Sequence, residues 1–231
     1  MSTATLRITV HRVRLGRDEF RVIRAADPLV RARLVGPEPA WGDLQMNVDA
    51  GAARSIGMLW SLAARSRRSL VYLPLRDGAL PAGGPRRAEP PLDLVLLHHS
   101  LQFKPHHWKR VRGRLGAGLR GTARLSPADL RGDGEIDHAA HHHREYRDTF
   151  HQHVHAHSLF MVGSARVFRE TAGMFFDLVR QAPDHGADSH HCEELGHPLV
   201  GNGRDIHIEY TRRWTDHQPQ SPGHATGDTS S

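Results

Sequence analysis

The sequence predicts an α/β or α+β fold, a sheet with amphipathic helices drawn from three strand-helix-strand units. An N-terminal antiparallel meander precedes them and a disordered C-terminal tail follows. Three observations carry this reading. Short runs in which apolar and polar residues alternate recur along the chain, the period of half-buried strands. Between them, residues 52–64 and 167–179 place apolar side chains three and four apart, the stripe of a helix lying on a sheet. Glycine- and proline-rich stretches fall between these runs, where turns belong.

Taken in order, Leu6, Ile8 and Val10 alternate with Arg7, Thr9 and His11, and the phase slips before Val13 and Leu15, which predicts a bulge or break. Gly16-Arg17-Asp18 is a turn, and Phe20 to Ile23 resumes as a second strand. Asp27-Pro28 turns again, and Val30, Ala32 and Leu34 alternate, so residues 4–36 read as an antiparallel meander with Arg7, Arg21, Arg31 and Arg33 outward. Leu44, Met46 and Val48 predict a strand, and Asp49 stands where a helix N-cap belongs, its carboxylate able to accept from first-turn amides. The stripe Ala52, Ala53, Ile56, Leu59, Trp60, Ala63, Ala64 then predicts a helix closed by Arg65, and Leu70 to Leu73 a strand stopped by Pro74. This places the meander and first unit in residues 1–76, an exposed Gly/Pro-rich loop at 77–91, the second and third units in 92–217 and a disordered tail at 218–231.

In the second unit, Leu92 to Leu97 is a strand, Pro105 suits a first helical turn, and Trp108, Val111 and Leu115 mark the buried side. Residues 121–125 form a strand candidate, and Ser126-Pro127-Ala128-Asp129 fits a capping box. In the third unit, a strand from about His153 to Val162 leads to a break and cap at Gly163-Ser164. A helix of about four turns, a long loop at 183–204 and a last strand with Ile206 and Ile208 inward follow.

Of the 31 basic residues, only Lys104 and Lys109 are lysine, and the net charge is +6, which can attract phosphate backbones. With a single cysteine, Cys192, no intrachain disulfide can form, consistent with a reducing compartment, and no run approaches the roughly 18 apolar residues of a membrane span. The expectation is a cytoplasmic protein without membrane contact.

Three groups of residues could carry chemistry. Eight of the twenty positions 138–157 are histidine. On a continuous strand His153, His155 and His157 share one face, and His207 and Glu209 share a face of the last strand. If those strands pair, the five could hold a divalent metal such as zinc. Second, Cys192 among His190, His191, Glu193, Glu194 and His197 offers sulfur and imidazole for a thiolate or a metal. Third, His98-His99-Ser100 ends an apolar strand, and Lys104, His106, His107, Lys109 and Arg110 behind it could form an anion pocket. No phosphate-cradling glycine loop, no Gly-x-Ser-x-Gly and no His-Glu-x-x-His is present.

The C-terminal pattern of strand, apolar helix, polar loop and Ile206-His207-Ile208-Glu209-Tyr210 is similar to small bacterial immunity-type proteins. That resemblance covers about a quarter of the chain and implies binding to a protein partner; it assigns no individual residue a role. With several polar faces and no coherent catalytic set in the sequence, the leading expectation is a non-catalytic, partner-binding module. The alternatives are a metal-binding protein or metal-dependent hydrolase using the histidine cluster, and a nucleic-acid binder using the arginine face of the first strands.

Overall fold

The computed structural model describes residues 4–37, 42–82, 90–126, 129, 148–181, 191–201 and 203–215. The fold is mixed α/β, as expected. The strands are β1 (Ala4–Leu15), β2 (Asp18–Ala25), β3 (Ala32–Pro37), β4 (Leu44–Val48), β5 (Ser69–Leu73), β6 (Pro91–His98), β7 (Leu119–Leu125), β8 (His151–His155), β9 (Ser158–Gly163), β10 (Cys192–Leu195) and β11 (Ile206–Tyr210). The helices are α1 (Ala50–Arg65), α2 (Trp108–Arg112), α3 (Ala165–Thr171) and α4 (Gly173–Gln181). The expected tail and the whole of residues 130–147 lie outside the described residues.

One sheet of eleven strands organises the chain, and β6 is its branch point. One wing runs β7-β1-β2-β5-β6-β9-β8, the other β3-β4-β11-β10. They meet where Leu34 and Val35 of β3 pair with Leu92 and Pro91 at the start of β6. β6 also pairs antiparallel with β5 and parallel with β9. A strand with neighbours on both edges and layers on both faces is buried throughout and mostly apolar, which accounts for the unbroken buried run from Leu92 to His98, Asp93 and His98 being its polar members.

Local signals hold well. Asp49 caps α1, its Oδ1 accepting from the Ala52 amide at 2.8 Å. The stripe from Ala52 to Ala64 is buried, and Trp60 at its centre donates from Nε1 to Thr171 Oγ1 at 2.8 Å. Ser164 caps α3, its Oγ accepting from the amides of Arg166 and Val167. The capping-box contact is also present, with the Ser126 amide donating to Asp129 Oδ2 at 3.1 Å.

Several expectations are corrected. β1 is a single strand of twelve residues without a break. Its phase slips because its cover changes sides: Ala4 and Ile8 join the core under α1, whereas Val13 and Leu15 join the core under α2. The meander ends at β2, since β3 leaves to pair with β4 and β6. None of the three strand-helix-strand units pairs its own two strands. β3 and β6 separate β4 from β5; β5, β2 and β1 separate β6 from β7; β6, β3 and β4 separate β9 from β11. Finally, the histidine segment is a hairpin. β8 turns at Ala156 and His157, both at positive φ (50° and 57°), and β9 returns antiparallel beside it. Two such residues form the two-residue turn whose twist suits a hairpin, usually built from Asn and Gly.

The expected four-turn helix is two, α3 and α4, with Ala172 between them. The loop at 183–204 contains a short strand, β10, paired with β11. Residues 77–82 run between β5 and β6, which pair directly, and Leu75 and Ala79 in this region are buried.

The sheet separates two apolar layers. α1, α3 and α4 cover one face around Trp60, Phe150, Phe168 and Phe175. α2 and the 3-10 turns before it cover part of the other face, around Trp108, Phe103 and Phe160. That partial cover decides where the functional surface falls.

Candidate functional site

Cross-strand register builds a basic strip on the face that α2 only partly covers. Val22, Leu70, Val95 and Phe160 of adjacent strands share the apolar layer beneath α2. Side chains two residues away along each strand lie on the same face. Those residues are Arg24, Tyr72, Asp93 and Ser158; Tyr72 pairs with Val95 and Asp93 with Ser158, so the apolar layer ends in a staggered polar row. The row continues outward, because Thr9 of β1 pairs with Arg24 on one side and with Arg120 of β7 on the other. Thr5 pairs with Arg124 and Arg7 with Thr122, which extends the same face along β1 and β7.

At the inner end of the strip, Asp93 is 1% exposed and its carboxylate accepts four hydrogen bonds. They come from Tyr72 Oη at 2.9 Å, the Arg76 amide at 3.2 Å, Arg76 Nε at 3.0 Å and Arg112 Nη1 at 3.1 Å. Such saturation is what permits a carboxylate inside a sheet, since a buried charge without partners is prohibitively costly. Arg112 Nη1 also reaches Ser158 Oγ at 3.5 Å, and that hydroxyl accepts from Trp108 Nε1 at 2.9 Å. The guanidinium of Arg24 lies 5.5 Å above the Tyr72 ring, within cation-π range. Arg33 donates from Nη1 to the carbonyls of Arg76 and Gly78, holding the loop that carries Arg76.

Burial first, then the charge of Asp93 and the hydrogen bond to it, push the Tyr72 hydroxyl far above its ordinary range, against the pull of Arg112 and Arg24. Tyr72 is therefore a fixed donor, not a base. Beside Arg24, His11 is 5% exposed and neither ring nitrogen has a hydrogen-bond partner. Burial and then the Arg24 charge hold it below the ordinary histidine value of 6.5, while the Gly116 backbone pulls the other way from outside hydrogen-bond geometry. His98 is likewise lowered, by burial, His99 and Arg67 against Asp148.

These two histidines set a pH dependence. Their folded-state affinity for protons is depressed, so the unfolded chain binds more protons once the pH falls toward 6.5. Stability is expected to be level above neutrality and to decline as the pH drops through that value toward the lowered folded ones. Urea unfolding midpoints from pH 7.5 to pH 5, compared with those of a His11→Gln/His98→Gln variant, measure it, and the variant should show a shallower decline.

At its outer end the strip is open. Leu119, Arg120, Gly121 and Thr122 are all exposed, Leu119 at 71%. β7 pairs only with β1 among the described residues and ends the sheet. Arg120 and Arg124 form no ion pair among the described residues, whereas Arg7 is matched by Asp27 and Arg12 by Glu19.

The residues singled out in the sequence are dispersed. His153 and His155 lie on β8 with ring centroids 6.3 Å apart, and His157 sits in the turn, so the three do not share one strand face. His207 and Glu209 lie on β11, beside β4 and β10. There Glu209 accepts from Gln45 and Asn47, and His207 Nδ1 lies 3.4 Å from Glu194. β9, β6, β3 and β4 intervene between β8 and β11. Among the described residues no group of three His, Cys, Asp or Glu side chains is disposed to hold a metal ion. Burial and then Glu194, Glu193 and Glu209 push the Cys192 thiol up, opposite to what a thiolate requires. His98 Nδ1 accepts from the Ser100 amide at 3.1 Å and caps a 3-10 turn. Lys104, Lys109 and Arg110 are exposed beside His106 and His107, whose rings are 4.1 Å apart. The helix behind them, α2, has only five residues and no side-chain cap.

Sequence reasoning missed the Asp93 cluster. The available signal was a single acidic residue inside an apolar run, which must find cationic partners once the strand is buried.

No protein-family model matches this sequence, no curated protein matches it, and no solved structure matches the fold. No helix among the described residues is long and apolar enough to cross a membrane.

Proposed function

We propose that the chain is a non-catalytic binding protein, immunity-like in kind, that docks an extended acidic segment of a protein partner on the basic strip. The observation that carries this is the outer edge of β7, which pairs with no second strand among the described residues, with Arg120 and Arg124 exposed on one face and in no ion pair among those residues; of that strand's carbonyls, Arg124's accepts from Arg65. A free strand edge offers backbone groups to an incoming strand, and alternating side chains then supply selectivity. Two arginines at positions i and i+4 of the strand share a face, so acidic residues at the matching spacing on the partner would meet both. Among the described residues the strip presents no exposed aromatic side chain on which bases could stack, which favours a protein partner over a single-stranded nucleic acid. The metal-dependent alternative draws no support from the dispersed histidines.

A fluorescently labelled peptide of alternating Glu and Val, its Lys-Val counterpart and a labelled DNA duplex test the reading by anisotropy. Saturable binding of the acidic peptide alone is expected. Arg120→Glu/Arg124→Glu should weaken it at least about tenfold, because like charges then face each other. Equal binding of the acidic and basic peptides, preference for the duplex, or an unaffected double variant would refute it.

A further inference from the structure

The inner end of the strip holds more positive charge than its own carboxylate neutralises. Arg76 engages Asp93 through Nε and Arg112 through Nη1, and their side chains remain 28% and 23% exposed. Each side chain is thus partly open to solvent while the buried carboxylate fixes its position. Arg24 adds a third cation above the Tyr72 ring, and its Nε is buried without a partner. His11 next to it is also buried, with both ring nitrogens unpartnered. Buried polar atoms in folded proteins nearly always have partners, and orphans grouped beside surplus cations mark a place for a missing anion or ordered water. Arginines held rigid in advance bind oxyanions well, because their donors need little ordering and match two oxygens at once.

We propose that this cluster binds a small oxyanion, a phosphate or carboxylate group held by Arg24, Arg76 and Arg112 beside the Tyr72 ring. Asp93 is a positioning residue in this arrangement, and Tyr72, a permanent donor, locks it. The site is independent of the acidic-partner reading, since it uses none of the β7 residues.

The test titrates inorganic phosphate and, separately, acetate into the full-length protein, with sodium chloride at matched ionic strength as reference. Calorimetry reads affinity, and NMR reads the Trp108 indole and the backbone amides of His11 and Arg24. Saturable binding of phosphate or of acetate, with shifts centred on those groups, is expected, and the stronger of the two names the ligand class. Arg24→Gln should weaken it about tenfold. Arg24 makes no bond to Asp93, so the anchor survives this change. Arg120→Glu/Arg124→Glu should leave it intact, which separates this site from peptide docking. A response no different from that to chloride, shifts centred elsewhere on the wild-type protein, or full affinity in Arg24→Gln would overturn the proposal.

Discussion

Replacing Asp93 by Asn is expected to cost the fold about 3–5 kcal/mol, the loss typical of breaking a buried ion pair from one side. Asn preserves the shape and still offers one oxygen. It removes the negative charge that two guanidiniums share and leaves both cations beside a buried neutral amide. The damage would fall where three strands converge on β6, so it should appear as loss of global stability and not as local fraying. Urea unfolding followed by circular dichroism measures it. A loss below about 1 kcal/mol would mean that solvent screens the cluster, as in surface ion pairs. Removing all three charges together, as Asp93→Leu/Arg76→Met/Arg112→Met, should recover much of the loss, because no uncompensated charge then remains inside.

Truncating Trp108 to Ala should be comparably severe, at about 3–5 kcal/mol, the usual cost of emptying a buried Trp site. The ring is fully buried, edge-on to Tyr72 at 4.9 Å and to Phe160 at 6.0 Å. Trp108 and Val111 are the buried residues of α2, and five residues have no helical stability of their own. Loss of the anchor should release α2 and withdraw Arg112 from Asp93, so hydrogen exchange should rise across residues 105–115 as well. Trp108→Phe keeps most of the apolar contact and removes only the donor to Ser158 Oγ. It should cost about 1–2 kcal/mol and leave α2 docked. If Trp108→Ala lost stability without faster exchange in α2, the helix would be held by something other than this side chain.

What was legible in the sequence follows the range of the interactions involved. Asp49, Ser164 and the stripe from Ala52 to Ala64 act within a few residues of themselves, so local reading located the caps and α1. The hairpin at Ala156-His157 escaped because its turn lacks the Gly, Asn or Asp that usually signals positive φ. Without that signal, alternating histidines leading into Leu159 resemble one continuous strand. The proposed ligand set then failed to assemble, since it needed β8 beside β11. Asp93 escaped for another reason: its partners Tyr72, Arg76 and Arg112 are remote in sequence, and none is distinctive among so many arginines.

By itself, the sequence determined the fold class, the places where strands and the long helix form, and a surplus of arginine. These follow from periodicity, capping and charge, properties of neighbours along the chain. Only the tertiary structure decided which strands pair, that α2 covers one face only in part, and that Arg24, Tyr72, Asp93 and Ser158 align into a row ending at an open edge. Strand pairing rests on contacts between residues far apart in the chain, and alternation along one strand carries no information about which neighbour it will have.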